Sequence, residues 1–240
     1  MDQTRDAARR QFLKRGGLGL AGAAFLAACA KHVSPVAQSG TTVPPDSSTT
    51  APQPPPLDRT PTDIDNDRVQ LRTATSIELL TVDVYRQVQL YLSSTAAPLA
   101  QRFAVQHQTH ARELQTLTER AFGLSAAVDQ PNSTLNDGYV KPAMAQLVSD
   151  ATTAGSDATA QRAAETAFVR FLADLETTGA ATYVTALGIL SLPTFRQPMG
   201  NLMALSARRA TALDDLIGEP LGITSVYPVT GAAPIEALVK

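Results

Sequence analysis

The stretch "QRFAVQHQTHARELQTLTERAF", residues 101–122, places His107 and His110 three positions apart. Apolar residues recur around the pair with a helical beat: Leu99 and Phe103 before it, Leu114, Leu117 and Ala121 after it. Residues three apart on a helix lie on one face, so a single turn would present both imidazoles to the same neighbour. Such a pair can ligate a metal, belong to a buried polar network, or fill core. Its place between Phe103 and Leu114 argues against a solvent-facing role. Glu113, three residues past His110, could add a carboxylate after a small rotation, although Leu114 and Leu117 set the buried face more naturally. The remaining histidine, His32, lies in a Pro/Ser/Thr-rich stretch and is no ligand candidate. Cys29 is the only cysteine, so there is neither an intramolecular disulfide nor a thiolate cluster to hold a metal.

Four amphipathic segments position these groups. From Asn66 to about Tyr91, Leu71, Ile77, Leu80, Val84, Val88 and Tyr91 recur near every 3.6 residues, with Glu78, Val82 and Tyr85 widening the same face. The second helix starts near Ala97, with Pro98 in its first turn, and Gly123 closes it. The third runs from about Ala158 to Leu190, with Phe168, Leu172, Leu175, Glu176, Gly179, Tyr183 and Leu187 along one side, and Pro193 breaks the chain after it. The fourth is expected from about Pro198 to Ile217, with Met199, Leu202, Ser206, Ala210 and Leu213 on its face and Gly218 as its stop. Between the second and third, residues 123–157 carry turn signals and a short helix from about Pro142 to Ala151. That is long for a link between packed helices, and it reads as a crossover. No segment reads as a strand. The expected fold is therefore all-α, a four-helix bundle of two antiparallel hairpins joined by one long crossover containing a short helix. This is the connectivity of ferritin-like bundles.

The segments "SIELLTVDVY", "QHQTHARELQTL", "LETTGAATYVTAL" and "SARRATALDDLIG", in that order from Arg72 to Gly218, resemble the actinobacterial ferritin-like proteins. In that family two helices each give one Glu to a two-metal centre, and the other two each give a Glu-x-x-His pair. By this resemblance Glu78 and Glu176 occupy the lone glutamate positions of the first and third helices, and His110 the histidine of the second. The pattern departs at three places: His107 stands for the second helix's glutamate, Ser206 for the fourth helix's glutamate and Arg209 for its histidine. Arginine stays protonated and cannot coordinate a metal, so a complete di-iron centre is not expected.

Two arrangements remain open. In one, Glu78, His107, His110 and Glu176 hold a single Fe, Zn or Mn ion. In the other, Arg209 replaces the metal as a core counter-charge, its planar fork bonding Glu78 or Glu176, and the histidines complete a buried network. Tyr85 and Tyr183 fall on inward faces near the two glutamates, where their hydroxyls could join such a network or neighbour a metal. Asp214-Asp215 reads as a solvated face, and the sequon Asn132-Ser133-Thr134 as chance.

The N-terminus carries a basic run with Arg9-Arg10, an apolar stretch from Gly16 to Ala28, and then Cys29. That order is a signal peptide. Arg9-Arg10 before Phe12-Leu13-Lys14 resembles the twin-arginine export signal, with Ala8 where Ser or Thr usually stands. Leu26-Ala27-Ala28-Cys29 resembles the bacterial lipobox, which implies a diacylated Cys29 that anchors the mature chain to a membrane. The expected organisation is a signal over 1–28, a disordered Pro/Ser/Thr-rich tether over 29–64, the bundle over 65–222 and an irregular tail over 223–240. The location that follows is the outer face of the cytoplasmic membrane or the cell envelope.

The chain has 20 Lys+Arg against 22 Asp+Glu; removing residues 1–28 takes five basic and two acidic residues, leaving 15 against 20, a net charge of −5. With no basic stripe and no tryptophan, nucleic acid is not an expected partner. Abundant alanine and scarce lysine point to a GC-rich bacterial genome. A protein partner is compatible with the sequence, which identifies none. The functional expectation is a lipid-anchored ferritin-like protein with a degenerate metal site, acting as a binding or structural module; the alternative is a metal-binding oxidase or iron-handling protein.

Overall fold

A computed structural model describes residues 58–219 and 231–240. Arg9, Arg10, Cys29, His32 and most of the expected tether lie outside the described residues. Those described form an all-helical bundle with no strand. We label its helices α1 (Pro61–Val88), α2 (Ala97–Phe122), α3 (Lys141–Ala154), α4 (Ala158–Ile189) and α5 (Pro193–Leu216). Two antiparallel hairpins, α1–α2 and α4–α5, are joined by the crossover that contains α3, and α1 packs against α4 between the hairpins.

Helix α1 begins earlier than its apolar periodicity suggests. Thr60 caps it: its hydroxyl accepts from the Asp63 amide while the Asp63 carboxylate accepts from the Thr60 amide, and Pro61 fills the first helical position. Just inside the helix, the fully buried Asp67 accepts from Arg59 at 2.5 Å and from the Ser191 amide and hydroxyl at 2.7 and 2.6 Å. This tie fastens the start of α1 to the link between α4 and α5. Residues 59–64, which the composition assigns to the tether, thus belong to this tie and to the first turn of α1.

Pro193 opens α5 at its first position and does not separate it from an irregular stretch. Pro198, expected to start that helix, lies inside it. Without an N–H, Pro198 leaves the Thr194 carbonyl without a helical partner. Both residues line a groove open to water, which can solvate that carbonyl. The other ends follow the sequence: Asp157 caps α4 by accepting from the Thr159 and Ala160 amides, and Gly123, with φ 94°, ends α2.

The core runs along the bundle axis through Leu71, Leu80 and Val84 of α1, Phe168 and Leu172 of α4, and Met199 and Leu213 of α5. Consecutive residues 73–78 of α1 are all buried, so this helix has no solvent face there. Its outer side is covered by the crossover and the C-terminal residues. The side-chain amide of Asn132 donates to Ser76 Oγ at 2.9 Å and to the Ala237 carbonyl at 2.8 Å, and the Val239 amide donates to Thr73 Oγ1 at 2.9 Å.

Candidate functional site

Each main helix of the two hairpins contributes one charged side chain to a closed centre. Glu78 comes from α1, His107 from α2, Glu176 from α4 and Arg209 from α5, and none is more than 3 % exposed. His107 lies between the carboxylates. Its Nδ1 lies 2.7 Å from Glu78 Oε2 and its Nε2 lies 2.7 Å from Glu176 Oε1. The tyrosines complete the arrangement crosswise. Tyr85, seven residues after Glu78 on α1, donates to Glu176 at 2.8 Å; Tyr183, seven residues after Glu176 on α4, donates to Glu78. The segments E-x6-Y of α1 and α4 are thus mates across the bundle axis. Tyr85 also stacks on the imidazole, with ring centroids 5.5 Å apart.

Burial alone would push the His107 imidazolium toward losing its proton. The carboxylates of Glu176 and Glu78, with their hydrogen bonds, outweigh that effect and raise its pKa to about 9. Burial would likewise favour a neutral Glu78, but the His107 charge, the bonds from His107 and Tyr183 and the approach of His110 hold its carboxyl far below the ordinary range. Both tyrosine hydroxyls are pushed well above their ordinary value by burial and by the adjacent carboxylates. At neutral pH, His107 is thus an imidazolium donating from both nitrogens to two carboxylates.

Arg209 supplies the second positive charge. Its Nη1 approaches Glu176 Oε2 at 3.8 Å, its Nε donates to Gln106 Oε1 at 3.1 Å, and its guanidinium lies 5.8 Å from the Phe103 ring centroid. The forked hydrogen bonding expected between Arg209 and a glutamate does not form. Glu176 Oε1 is already occupied by His107 and Tyr85, and Gln106 holds the Nε edge of the guanidinium, leaving one Nη1 approach beyond hydrogen-bond length. Nη1 is also 3.3 Å from His107 Nε2. With that nitrogen donating to Glu176, this is an approach of two cations and not a hydrogen bond. Two carboxylates, one imidazolium and one guanidinium sum to zero charge, which lets ionised groups persist in a water-poor interior.

A two-metal centre does not fit these residues. Helix α5 offers only Ser206 and Arg209, and the guanidinium puts a permanent positive charge where a second cation would need an anionic ligand. One ion is a different matter. Ligand atoms of Glu78, His107 and His110 lie within 4.8 Å of one another, a grouping that could hold a metal. Glu176 is not part of it, because the imidazole ring of His107 separates the two carboxylates. His110 sits at the edge, with 13 % of its side chain exposed and its Nδ1 3.4 Å from Glu78 Oε2.

The other sequence-selected residues fall elsewhere. Glu113 is exposed, Asp215 is exposed, and Asp214 is half-buried with its carboxyl pushed up by burial and by Glu219. Ser206 is buried, as is Asn132. The latter is a structural hub, and an interior amide bonded to Ser76, Leu135 and Ala237 leaves no room for a sugar. Its position after Asp129-Gln130-Pro131 was a turn signal, but nothing local disclosed its distant partners. Gln106, the hydrogen-bond partner of Arg209, carried no signal in the sequence at all.

No curated protein and no solved structure matches the chain significantly. The sequence profile of the ferritin-like domain matches residues 66–219, which spans α1 through α5 and every member of the buried centre. By that match and by its helical architecture, the chain belongs to the ferritin-like domain family.

Proposed function

We propose that this chain is an exported, lipid-anchored ferritin-like protein of the cell envelope that keeps the family scaffold and has replaced a catalytic metal pair by a charge-closed network, serving as a binding or structural module. The observation that carries the reading is Arg209: buried, with Nη1 3.8 Å from Glu176 Oε2, on the helix that would have to complete a metal pair. His107 engages both carboxylates at 2.7 Å, so both of its nitrogens and one oxygen of each glutamate are already taken. Anchoring is inferred from Arg9-Arg10 and the Leu26-Ala27-Ala28-Cys29 sequence, with the membrane as partner through lipid on Cys29.

A second reading is favoured by the Glu78, His107 and His110 grouping: one Fe, Zn or Mn ion held there, with an oxidase or iron-handling role. Coordination through His107 would require the imidazolium to lose a proton, so metal binding would release protons and strengthen with pH.

Metal analysis of protein purified from metal-replete cells separates the two. The network reading expects no iron or manganese retained at the centre. Stoichiometric metal that disappears in His107→Gln but stays in Glu113→Ala would overturn it. For the anchor, Cys29→Ser is expected to move the protein from the membrane fraction to the soluble one, and unchanged membrane association would refute lipidation.

A further inference from the structure

The two sides of the buried centre are covered differently. Toward α1 and α4 the crossover and the C-terminal residues close over it, through Asn132, Ala237 and Val239. Toward α2 and α5 the surface opens into a groove. Its wider outer part, about 460 Å³, is flanked by Arg112 and Arg120, and its inner part, about 180 Å³, has His110, Glu113 and Asn201 among its lining residues.

We propose that this inner end binds one divalent cation of the Zn2+ or Cu2+ class, held by Nε2 of His110 and the carboxylate of Glu113, with the Asn201 carboxamide facing them from α5. The site is set apart from the buried grouping, because Nδ1, on the opposite edge of the same imidazole, is the nitrogen that faces Glu78. His110 and Glu113 are three residues apart on α2, which brings their Cβ atoms to about 5–6 Å on one helix face. Both line the inner groove. The Glu113 carboxylate makes no hydrogen bond or ion pair with any described residue, and neither does Nε2 of His110. An imidazole with one carboxylate, one carboxamide and water suits a borderline cation, with Cu2+ bound more tightly than Zn2+.

The interior supplies the remaining requirement. A metal-ligating histidine donates its other ring N–H to a carboxylate or carbonyl, which fixes the tautomer that leaves the ligating nitrogen free. Nδ1 of His110 is buried, has no hydrogen-bond partner among the described residues, and lies 3.4 Å from Glu78 Oε2. Glu78 is itself held by His107 and Tyr183. Glu78 is therefore placed to orient His110 toward the groove. A small tilt of the ring converts the 3.4 Å approach into a hydrogen bond as a cation is taken up at Nε2. The inference rests on the network reading, in that His107 stays bonded to both carboxylates while His110 alone meets the cation. Arg112 and Arg120 flank only the outer groove and do not line the inner part.

The test uses the full-length chain carrying Cys29→Ser and His32→Gln, which removes the thiol and imidazole of the N-terminal segment, freed of metal and titrated with Zn2+ by calorimetry and with Cu2+ by electron paramagnetic resonance. We expect one equivalent bound, a Cu2+ spectrum showing one imidazole nitrogen, loss of that binding in His110→Ala, and at least about ten-fold weaker binding in Glu113→Ala. Glu113 is exposed, so its substitution leaves the fold intact and keeps the test decisive even where His110→Ala lowers stability. Absence of binding, or binding unchanged in Glu113→Ala with one nitrogen, would overturn the groove site and leave the network reading standing. A two-nitrogen spectrum abolished by His107→Gln and indifferent to Glu113→Ala would overturn both.

Discussion

If His107 is an imidazolium between two buried carboxylates, the protein must lose stability as the solution turns mildly alkaline. The unfolded histidine titrates near 6.5 and the folded one at about 9. Between those values the native state holds a proton that the unfolded state has released, so stability falls as pH rises. The contribution is complete below pH 6.5 and gone above the folded value. At about 1.4 kcal/mol per pKa unit, the full window amounts to about 3 kcal/mol, a large part of a typical domain's net stability. The depressed Glu78 carboxyl reports the same contact from the other side, present above 4.5 and lost as pH falls, so the two are counted once. Urea unfolding at fixed ionic strength between pH 6 and pH 9.5 measures it. With an m-value of a few kcal/mol per molar, the midpoint should drop by roughly 1–2 M across the window. His107→Gln should be destabilised by about 3–5 kcal/mol at pH 6.5, because two buried carboxylates then share only Arg209, and its disadvantage should shrink as the pH approaches 9. A wild-type midpoint that stays level from pH 6.5 to 9, or a variant whose deficit does not change with pH, would refute a charged His107 in the core.

Three further outcomes follow from the same contacts. Arg209→Met should cost about 3 kcal/mol by leaving the centre one negative charge in excess, and a urea midpoint equal to that of the native chain would show that the guanidinium balances nothing. Asn132→Ala removes the bonds to Ser76 Oγ and the Ala237 carbonyl together with the cap on Leu135, so a loss of about 2 kcal/mol is expected, with faster hydrogen exchange at the Val239 amide and at the Ala233 amide, which donates to Thr182 Oγ1; unchanged exchange there would separate the C-terminal residues from this hub. Asp67→Asn should weaken the tie among Arg59, Asp67 and Ser191 by about 2 kcal/mol, read as a lower thermal midpoint, and a midpoint within a degree of the native one would contradict it.

The helical order and its punctuation were legible in the sequence because they are local. A 3.6-residue apolar beat, Pro98 in a first turn and Gly123 at an end act on their own few neighbours, and the structure uses each of them in that way. So was the placement of Glu78, His107 and Glu176 on inward faces, since each falls within an apolar stripe, whereas Arg209 was placed at the centre by the family resemblance. The ends of α1 and α5 were misplaced for a related reason. Thr60 begins α1 through capping before any apolar residue is buried, and α5 begins at Pro193, five residues before Pro198, because proline suits a first helical position and Phe195 is already packed in that turn.

Pairings across the bundle were decided only by the tertiary structure. That Tyr85 serves Glu176 and Tyr183 serves Glu78 depends on two helices nearly a hundred residues apart meeting in one register. That Arg209 approaches only one oxygen of Glu176, with Gln106 holding its Nε, depends on which carboxylate oxygens other donors have already taken. That Thr73 and Ser76 of α1 are buried and not solvated depends on Asn132 and Val239 arriving from the crossover and the C-terminus. Residue type and spacing settle which side chains turn inward, because one helix fixes its own faces. Which of those side chains become partners is settled by the shift and rotation of separate helices, to which all the core contacts contribute together.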